Sequence, residues 1–268
     1  MKFFIKTYGC QANISDSEQL AGLLEKNNEI VNSIEESELV IVNTCSVKDK
    51  TQNKEIEFIK NIPRDKKIFV GGCLTKTIDI RKHRKDINSV FDTNSITKIP
   101  GIIKNPADLF SEKKEERINI PRIRKDKNIA RIVIQEGCLN KCSFCATKLA
   151  RGNLKSYRIG DIKREVKKAV EEGCKKIYLT GQDLGCYGFD IRTNLPELLD
   201  ELILINGDFK IRVGMMNPWH VIKILDKLII SYKNPKIMKF LHIPVQSGSE
   251  NVLKHMRRIH TVENFKTI

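Results

Sequence analysis

Short apolar runs alternate with stretches of helical periodicity along the chain. Lys2 to Thr7, Leu39 to Asn43 and Lys67 to Val70 have the length and β-branched content of strands, while Ser15 to Lys26 and Lys48 to Asn61 space their apolar residues as helices do. Strands alternating with helices predict an α/β unit with a largely parallel sheet. Residues 111–128 (SEKKEERINIPRIRKDKN) break the periodicity with dense charge and one Pro, which predicts an interdomain linker and a boundary near Asp126. A second set follows: strand Arg131 to Gln135, then helix Asp161 to Glu172, with Ile162, Val166, Ala169 and Val170 on one face and Gly173 at its end. Strand Lys176 to Thr180 leads to helix Pro196 to Ile205, strand Lys210 to Gly214 to helix Trp219 to Ile230, and strand Lys239 to Pro244 to a polar turn. Pro196 and Pro218 suit the first helical position, with caps expected at Leu195 and Asn217. Thr261 reads as the N-cap of one more helix, with Glu263 in its first turn. An open parallel sheet ending after its fourth strand leaves an unpaired edge. The expectation is therefore a domain cut short, or a split protein whose remainder is a separate chain.

The 268 residues suffice for two cores, and the 40% apolar share holds no run approaching the roughly 18 apolar residues of a membrane span. Lys2 and Lys6 flank the first apolar run and no small-residue cleavage site follows, so the reading is a soluble cytoplasmic chain without a secretory signal. A formal charge of +15 favours a polyanionic partner, although the abundance of Lys, Ile and Asn also fits a genome-wide compositional bias. Two basic runs, Arg122-Ile123-Arg124-Lys125 and Lys254-His255-Met256-Arg257-Arg258, are candidates for phosphate contact or simply solvated faces.

Eight cysteines in a cytosolic chain point to metal or catalysis rather than disulfides. Cys138, Cys142 and Cys145 follow a strand in the spacing C-x3-C-x2-C, which can bind three irons of a 4Fe-4S cluster and leave the fourth open to a small ligand. Zinc is the competing reading, but it usually takes four ligands in paired knuckles and no fourth Cys or His lies nearby in sequence. Cys10, Cys45 and Cys73 each follow a strand of the first half. In a parallel sheet those ends converge on one crevice, so a second three-cysteine cluster is expected, against the alternative of buried structural thiols. Cys174, at a helix-to-strand turn, reads as structural; Cys186 is left undecided.

The cysteine loop, with aromatic Phe144 before its last Cys, resembles the radical S-adenosylmethionine superfamily. The resemblance implies that the open iron chelates S-adenosylmethionine and that an electron from the cluster cleaves the sulfonium bond. The resulting 5'-deoxyadenosyl radical abstracts a hydrogen. It also implies a partial (β/α) barrel, with Gly181, Gln182 and Asp183 after the second strand and Gln246 and Ser247 after the fourth as cofactor or substrate contacts.

The two cysteine sets together resemble the methylthiotransferase family over essentially the whole chain, with residues 1–122 as its N-terminal domain and 123–268 as an incomplete radical domain. Ala146 to Gly152, Leu179 to Asp183 and Val213 to Pro218 are most similar to the archaeal and eukaryotic branch. That resemblance implies two 4Fe-4S clusters, an electron donor, and a tRNA whose N6-threonylcarbamoyladenosine at position 37 becomes the 2-methylthio derivative. The Cys138 set would make the radical and the Cys10 set would hold or donate the sulfur. Members of that family continue with more barrel strands and a C-terminal RNA-binding barrel, which the expectation of a domain cut short leaves outside these 268 residues. A methylthiotransferase acting on a ribosomal protein, or an iron-sulfur scaffold or electron carrier, are the alternatives.

Overall fold

The computed structural model describes residues 1–47 and 49–268, so the expected start of a helix at Lys48 lies outside the described residues. The chain divides into two compact units, Met1–Lys125 with Leu149–Arg151, and Asp126–Lys148 with Gly152–Ile268.

In the first unit, β1 (Lys2–Thr7), α1 (Gln11–Glu25), β2 (Glu29–Ile30), β3 (Leu39–Thr44), α2 (Asp49–Lys60), β4 (Lys67–Gly72), β5 (Ser89–Val90) and α3 (Ile99–Ile102) follow in order. The strands form one parallel sheet in the order β2-β1-β3-β4-β5. Strand β3 is buried along its whole length because both of its faces are covered. Leu39 and Ile41 pack with Leu20 and Leu24 of α1, while Val40 and Val42 pack with Ile56 and Ile59 of α2. The period of two along one strand thus serves two cores. The strand order reverses between β1 and β3, and a crevice at the carboxyl ends of strands is where such sheets bind ligands.

Helix α1 begins at Gln11, four residues before the sequence-based start, because its first turns are polar: Asn13, Ser15, Asp16, Ser17, Glu18 and Gln19 are all buried. Residues 111–125 lack a regular element, as expected of a linker, yet they are pinned to α1 rather than free. Ile123 N–H donates to Glu18 O at 2.8 Å, Gln19 donates to Arg117 O at 2.8 Å, and Arg117 and Ile118 are buried. The basic run is used in the same way, with Arg122 at 3.4 Å from Ser15 Oγ and the Lys125 N–H on Glu18.

The second unit contains β6 (Ile129–Val133), β7 (Gln135–Glu136), α4 (Ala146–Arg151, whose last three residues pack in the first unit), β8 (Lys155–Ser156), α5 (Ile159–Glu171), β9 (Lys176–Thr180), α6 (Leu195–Ile203), β10 (Lys210–Val213), α7 (Pro218–Lys233), α8 (Glu250–His255) and α9 (Val262–Thr267). Strands β6, β9 and β10 pair in parallel in chain order, and α5 and α6 are the crossovers, which is the construction of a partial β/α barrel.

The expected fourth strand at Lys239 to Pro244 does not form. A single bridge joins Ile211 of β10 to Ile237, two residues before the expected strand begins, and Phe240 and Leu241 are exposed. Alternating apolar residues make a strand only where a ladder continues, and β10 ends at Val213. The cap of α6 also differs: Asn194, not Leu195, accepts the Glu197 N–H, and Pro196 is the second helical residue. Asn217 caps α7 with Pro218 next, and Thr261 caps α9 in a reciprocal box with Asn264. Among the described residues, no helix is long and apolar enough to cross a membrane.

A Cβ on Gly71 of β4 would lie 2.1 Å from the buried Phe91 ring. Overpacking of this kind costs about 1–3 kcal/mol, so Gly71→Ala is expected to lower the urea midpoint followed by circular dichroism. An unchanged midpoint would show that the ring yields.

Candidate metal centre

Three thiols of the first unit gather at the strand-order reversal. Cys10 follows β1, Cys45 follows β3 and Cys73 follows β4. Asn13, one turn into α1, stands among them: Cys10 Sγ lies 3.7 Å and Cys73 Sγ 3.8 Å from its Oδ1, while its Nδ2 donates to Thr44 O at 2.7 Å. Gly9, at φ +100°, leaves room for Cys45, since a Cβ there would sit 2.8 Å from Cys45 Sγ. Cys45 and Cys73 are buried and Cys10 is exposed. Burial pushes the Cys45 thiol up to about 11, and burial raises Cys73 as well, against the charge and hydrogen bond of Arg151, which pull it down. The Cys45 N–H is held by both oxygens of buried Glu55 at 3.1 Å, and burial pushes that carboxyl up to about 8.

Arg151 belongs to the same unit and is 1% exposed. Its Nη2 donates to Asp16 Oδ2 at 2.6 Å and to Asn13 Oδ1 at 3.0 Å, and Arg117 holds the other Asp16 oxygen at 2.9 Å. Burial works against the Asp16 carboxylate, but the charges and hydrogen bonds of Arg151 and Arg117 outweigh it and hold the group below the usual carboxylate range.

In the second unit the Cys138 to Cys145 loop leaves β7 through Gly137, whose N–H donates to Gln182 Oε1 at 2.6 Å. Asn140 donates to Cys138 Sγ from its side chain at 3.0 Å and from its backbone at 3.4 Å. Arg258 Nη1 approaches Cys142 Sγ at 3.7 Å, and its Nη2 donates to Pro244 O. Donors aimed at sulfur suit thiolate ligands, and hydrogen bonds of this kind tune a cluster. All three thiols are partly exposed, so the loop is accessible.

Beneath the loop lies Asp183, fully buried. Its carboxylate accepts from Asn140 Nδ2 at 2.7 Å, Asn217 Nδ2 at 2.7 Å and the Asn217 N–H at 2.9 Å, and it pairs with His220 Nδ1 at 2.7 Å. Desolvation raises its pKa, but the His220 hydrogen bond and charge and the Asn217 bonds prevail and lower it. Trp219 Nε1 closes the network on Asn140 Oδ1 at 3.0 Å. Cys186 is buried beside it, with Sγ 3.2 Å from Asp183 O, and hydrogen-bonds to Cys138; that bond, more than its burial, raises the Cys186 thiol and lowers Cys138.

Among the described residues, Asp183, Cys186 and His220 are the only such group with all ligand atoms within 4.8 Å of one another. Their mutual hydrogen bonds make them a buttress under the loop. Neither three-cysteine set is that tight, whereas a tetrahedral zinc draws its thiolates to roughly 3.8 Å from each other. Three thiols at each set, with no fourth ligand as tight among the described residues, match the donor count of a 4Fe-4S cluster rather than a four-ligand zinc.

The other sequence candidates are placed as follows. Gly181 packs against Gln135, Phe144 turns 53% of its surface to solvent, Gln246 is exposed with φ 74°, and Ser247 Oγ accepts from the Ser249 N–H. His260, stacked on Trp219, points a ring nitrogen at Val245 O at 3.2 Å, beside Gln246. Of the second basic run, Arg258 is buried and lies 4.4 Å over the Trp219 ring. Cys174 is buried, 3.3 Å from Lys127 O. Sequence reasoning missed Asn13, Arg151, Asn140, Trp219 and His220. For Trp219 and His220 the signal was available, since they follow β10 at its carboxyl end, but the run Asn217-Pro218 drew the reading to helix capping.

Comparison with known proteins gives two family matches, one described as the radical SAM superfamily over residues 132–268 and one as the uncharacterized protein family UPF0004 over residues 2–92. A protein of Pyrococcus horikoshii named probable threonylcarbamoyladenosine tRNA methylthiotransferase is 44% identical over 284 residues, covering 100% of this chain and 65% of that protein. The Archaeoglobus fulgidus protein of the same name is 42% identical over 99% of this chain and 64% of its own length. The human threonylcarbamoyladenosine tRNA methylthiotransferase is 35% identical over 100% of this chain and 48% of its own. The chain thus spans less than two thirds of these relatives. Among solved structures, the radical S-adenosylmethionine methyltransferase TsrM from Kitasatospora setae, with cobalamin and a 4Fe-4S cluster bound, shares the fold at TM-score 0.67 and 14% identity, over 99% of this chain and 65% of that one.

Leaving a buried donor without its acceptor costs about 1–3 kcal/mol, and Asp183→Ala would strand several. The variant is expected to lose more than about 3 kcal/mol in chemical denaturation and to retain less iron after reconstitution. Iron retention equal to the parent's would show that the loop holds itself.

Proposed function

The chain belongs to the radical SAM superfamily, and from that premise we propose that it is the catalytic part of a tRNA methylthiotransferase. The reaction installs a 2-methylthio group on N6-threonylcarbamoyladenosine at position 37 of tRNA. The observation that carries this reading is the presence of two separate three-cysteine sets, each at strand carboxyl ends and each with an asparagine side chain at its sulfurs. A superfamily member doing only radical chemistry needs the set at Cys138, Cys142 and Cys145. The second set, at Cys10, Cys45 and Cys73, gives sulfur chemistry its own place, and the names of the relatives support the same substrate.

A 4Fe-4S cluster on Cys138, Cys142 and Cys145, when bound, supplies the electron that cleaves S-adenosylmethionine. The residues of this chain then have distinct tasks. Asn140 and Arg258 donate toward two of the three sulfurs and favour their anionic form. Gln182 fixes the entry to the loop through Gly137, and Asp183 holds Asn140 in place from below. Gly181, Phe144, Gln246 and Ser247 are assigned to the neighbourhood of S-adenosylmethionine or substrate. The formal charge of +15 favours tRNA approach without selecting a sequence. An electron donor completes the system.

After anaerobic reconstitution the chain is expected to hold roughly eight iron atoms, the content of two 4Fe-4S clusters. Replacing Cys10, Cys45 and Cys73 by Ala should halve the iron, keep 5'-deoxyadenosine release and abolish 2-methylthio product, scored by nucleoside mass spectrometry. Replacing Cys138, Cys142 and Cys145 should abolish both activities. Iron unchanged by the first replacement would overturn the two-cluster reading, and thiolation of a ribosomal protein instead of tRNA would redirect the substrate. Two clusters without any cleavage of S-adenosylmethionine would leave an iron-sulfur scaffold.

A further inference from the structure

The buried guanidinium of Arg151 is not accounted for by the packing around it. Its Nη2 is occupied by Asp16 and Asn13, but Nη1 is buried without a hydrogen-bond partner. An unmade bond from a buried cation is costly, so such an atom marks a place where an acceptor belongs. The surroundings say which acceptor. Asn13 Oδ1, 3.0 Å from Nη2, is the atom that Cys10 Sγ and Cys73 Sγ approach at 3.7 and 3.8 Å, so the guanidinium stands at the thiols.

The charges point the same way. Asp16 is shared between Arg117 and Arg151, both buried, and the remaining partner of Arg151, Asn13, is neutral. Apart from Asp16, Arg151 meets only a neutral hydrogen-bond partner in Asn13, and an arginine keeps its proton at any accessible pH. Three thiolates around an oxidised 4Fe-4S core leave a net negative charge, and each added electron makes it more negative. A fixed cation in a low-dielectric site favours that added electron.

We propose that Arg151 is the residue that sets the reduction potential of the cluster held by Cys10, Cys45 and Cys73, raising it by compensating the cluster's negative charge, with Asp16 as the counterweight that limits the effect. This rests on the reading of that triad as a cluster site. Arg151 acts on the cluster through charge and hydrogen bonding and is a positioning residue, not a ligand.

The test uses the full chain with Cys138, Cys142 and Cys145 replaced by Ala, so that only the first unit's cluster is reconstituted. Its midpoint is read by redox titration followed by electron paramagnetic resonance. Arg151→Gln keeps hydrogen bonding and removes the charge; the reduction equilibrium is expected to fall at least tenfold, which is 59 mV for one electron. Asp16→Asn is isosteric and removes the counterweight, so its midpoint is expected to move the opposite way, upward. Arg151→Lys, which keeps the charge, should stay nearer the parent than Arg151→Gln. General damage to the site would not give shifts of opposite sign. Shifts of the same sign, or no shift in either variant, overturn the proposal. If Arg151→Gln fails to fold or to load, Asp16→Asn and Arg151→Lys decide it: an upward shift in the first with the second near the parent sustains it, and any other pair of values overturns it. Failure of the cysteine-replaced parent itself to form a cluster would sink the two-cluster reading and this inference with it.

Discussion

A parallel sheet delivers the carboxyl end of every strand to the same edge, and both units of this chain build their chemistry on that constraint. In the first, Cys10, Cys45 and Cys73 come from sequence positions dozens of residues apart, yet each follows the last residues of β1, β3 or β4. In the second, the Cys138 to Cys145 loop follows β6 and β7, Gln182 and Asp183 follow β9, and Asn217 to His220 follow β10. The ladder hydrogen bonds that hold these strands in register thereby also hold the sulfur-bearing loops in place.

What the sheet edge positions, buried carboxylates then lock. Asp16 and Asp183 play parallel parts in the two units. Each is fully desolvated, which by itself works against its charge, and each is kept ionised by stronger opposing contacts: two arginines in one case, His220 and Asn217 in the other. Each also connects to thiols through a short hydrogen-bonded relay. Asp183 holds Asn140, which donates to Cys138, and Asp16 holds Arg151, which stands at Asn13 between Cys10 and Cys73. Such supports are expensive to bury and orient the sulfur-bearing loops, in the way outer-shell partners orient metal ligands generally.

The polar turns are where sequence-based expectation and structure part. Gln11 to Glu18 carries few apolar residues, so periodicity predicts a later start for α1; of its buried polar side chains, Asn13 faces the cysteines and Asp16 receives Arg117 and Arg151. Dense charge over residues 111–128 predicts a linker, but Arg117 is buried in an ion pair with Asp16. The strand expected at Lys239 to Pro244 had the right apolar residues and lacks a continuing ladder to join. In each case the missing information was the identity of a partner distant in the sequence.

By itself, the sequence determined the alternation of strands and helices, the two parallel sheets and the placing of two sets of three cysteines after strands, because periodicity, turn residues and residue spacing are local properties. Only the tertiary structure decided that Asn13 stands among three thiols, that Asp183 turns away from solvent to brace the cysteine loop, and that the Arg151 guanidinium is buried at Asn13 beside these thiols. The physical reason is desolvation. Whether a charged side chain is a solvated ornament or the strongest field in a site depends on what covers it, and the covering residues lie as far as 138 positions away in the chain.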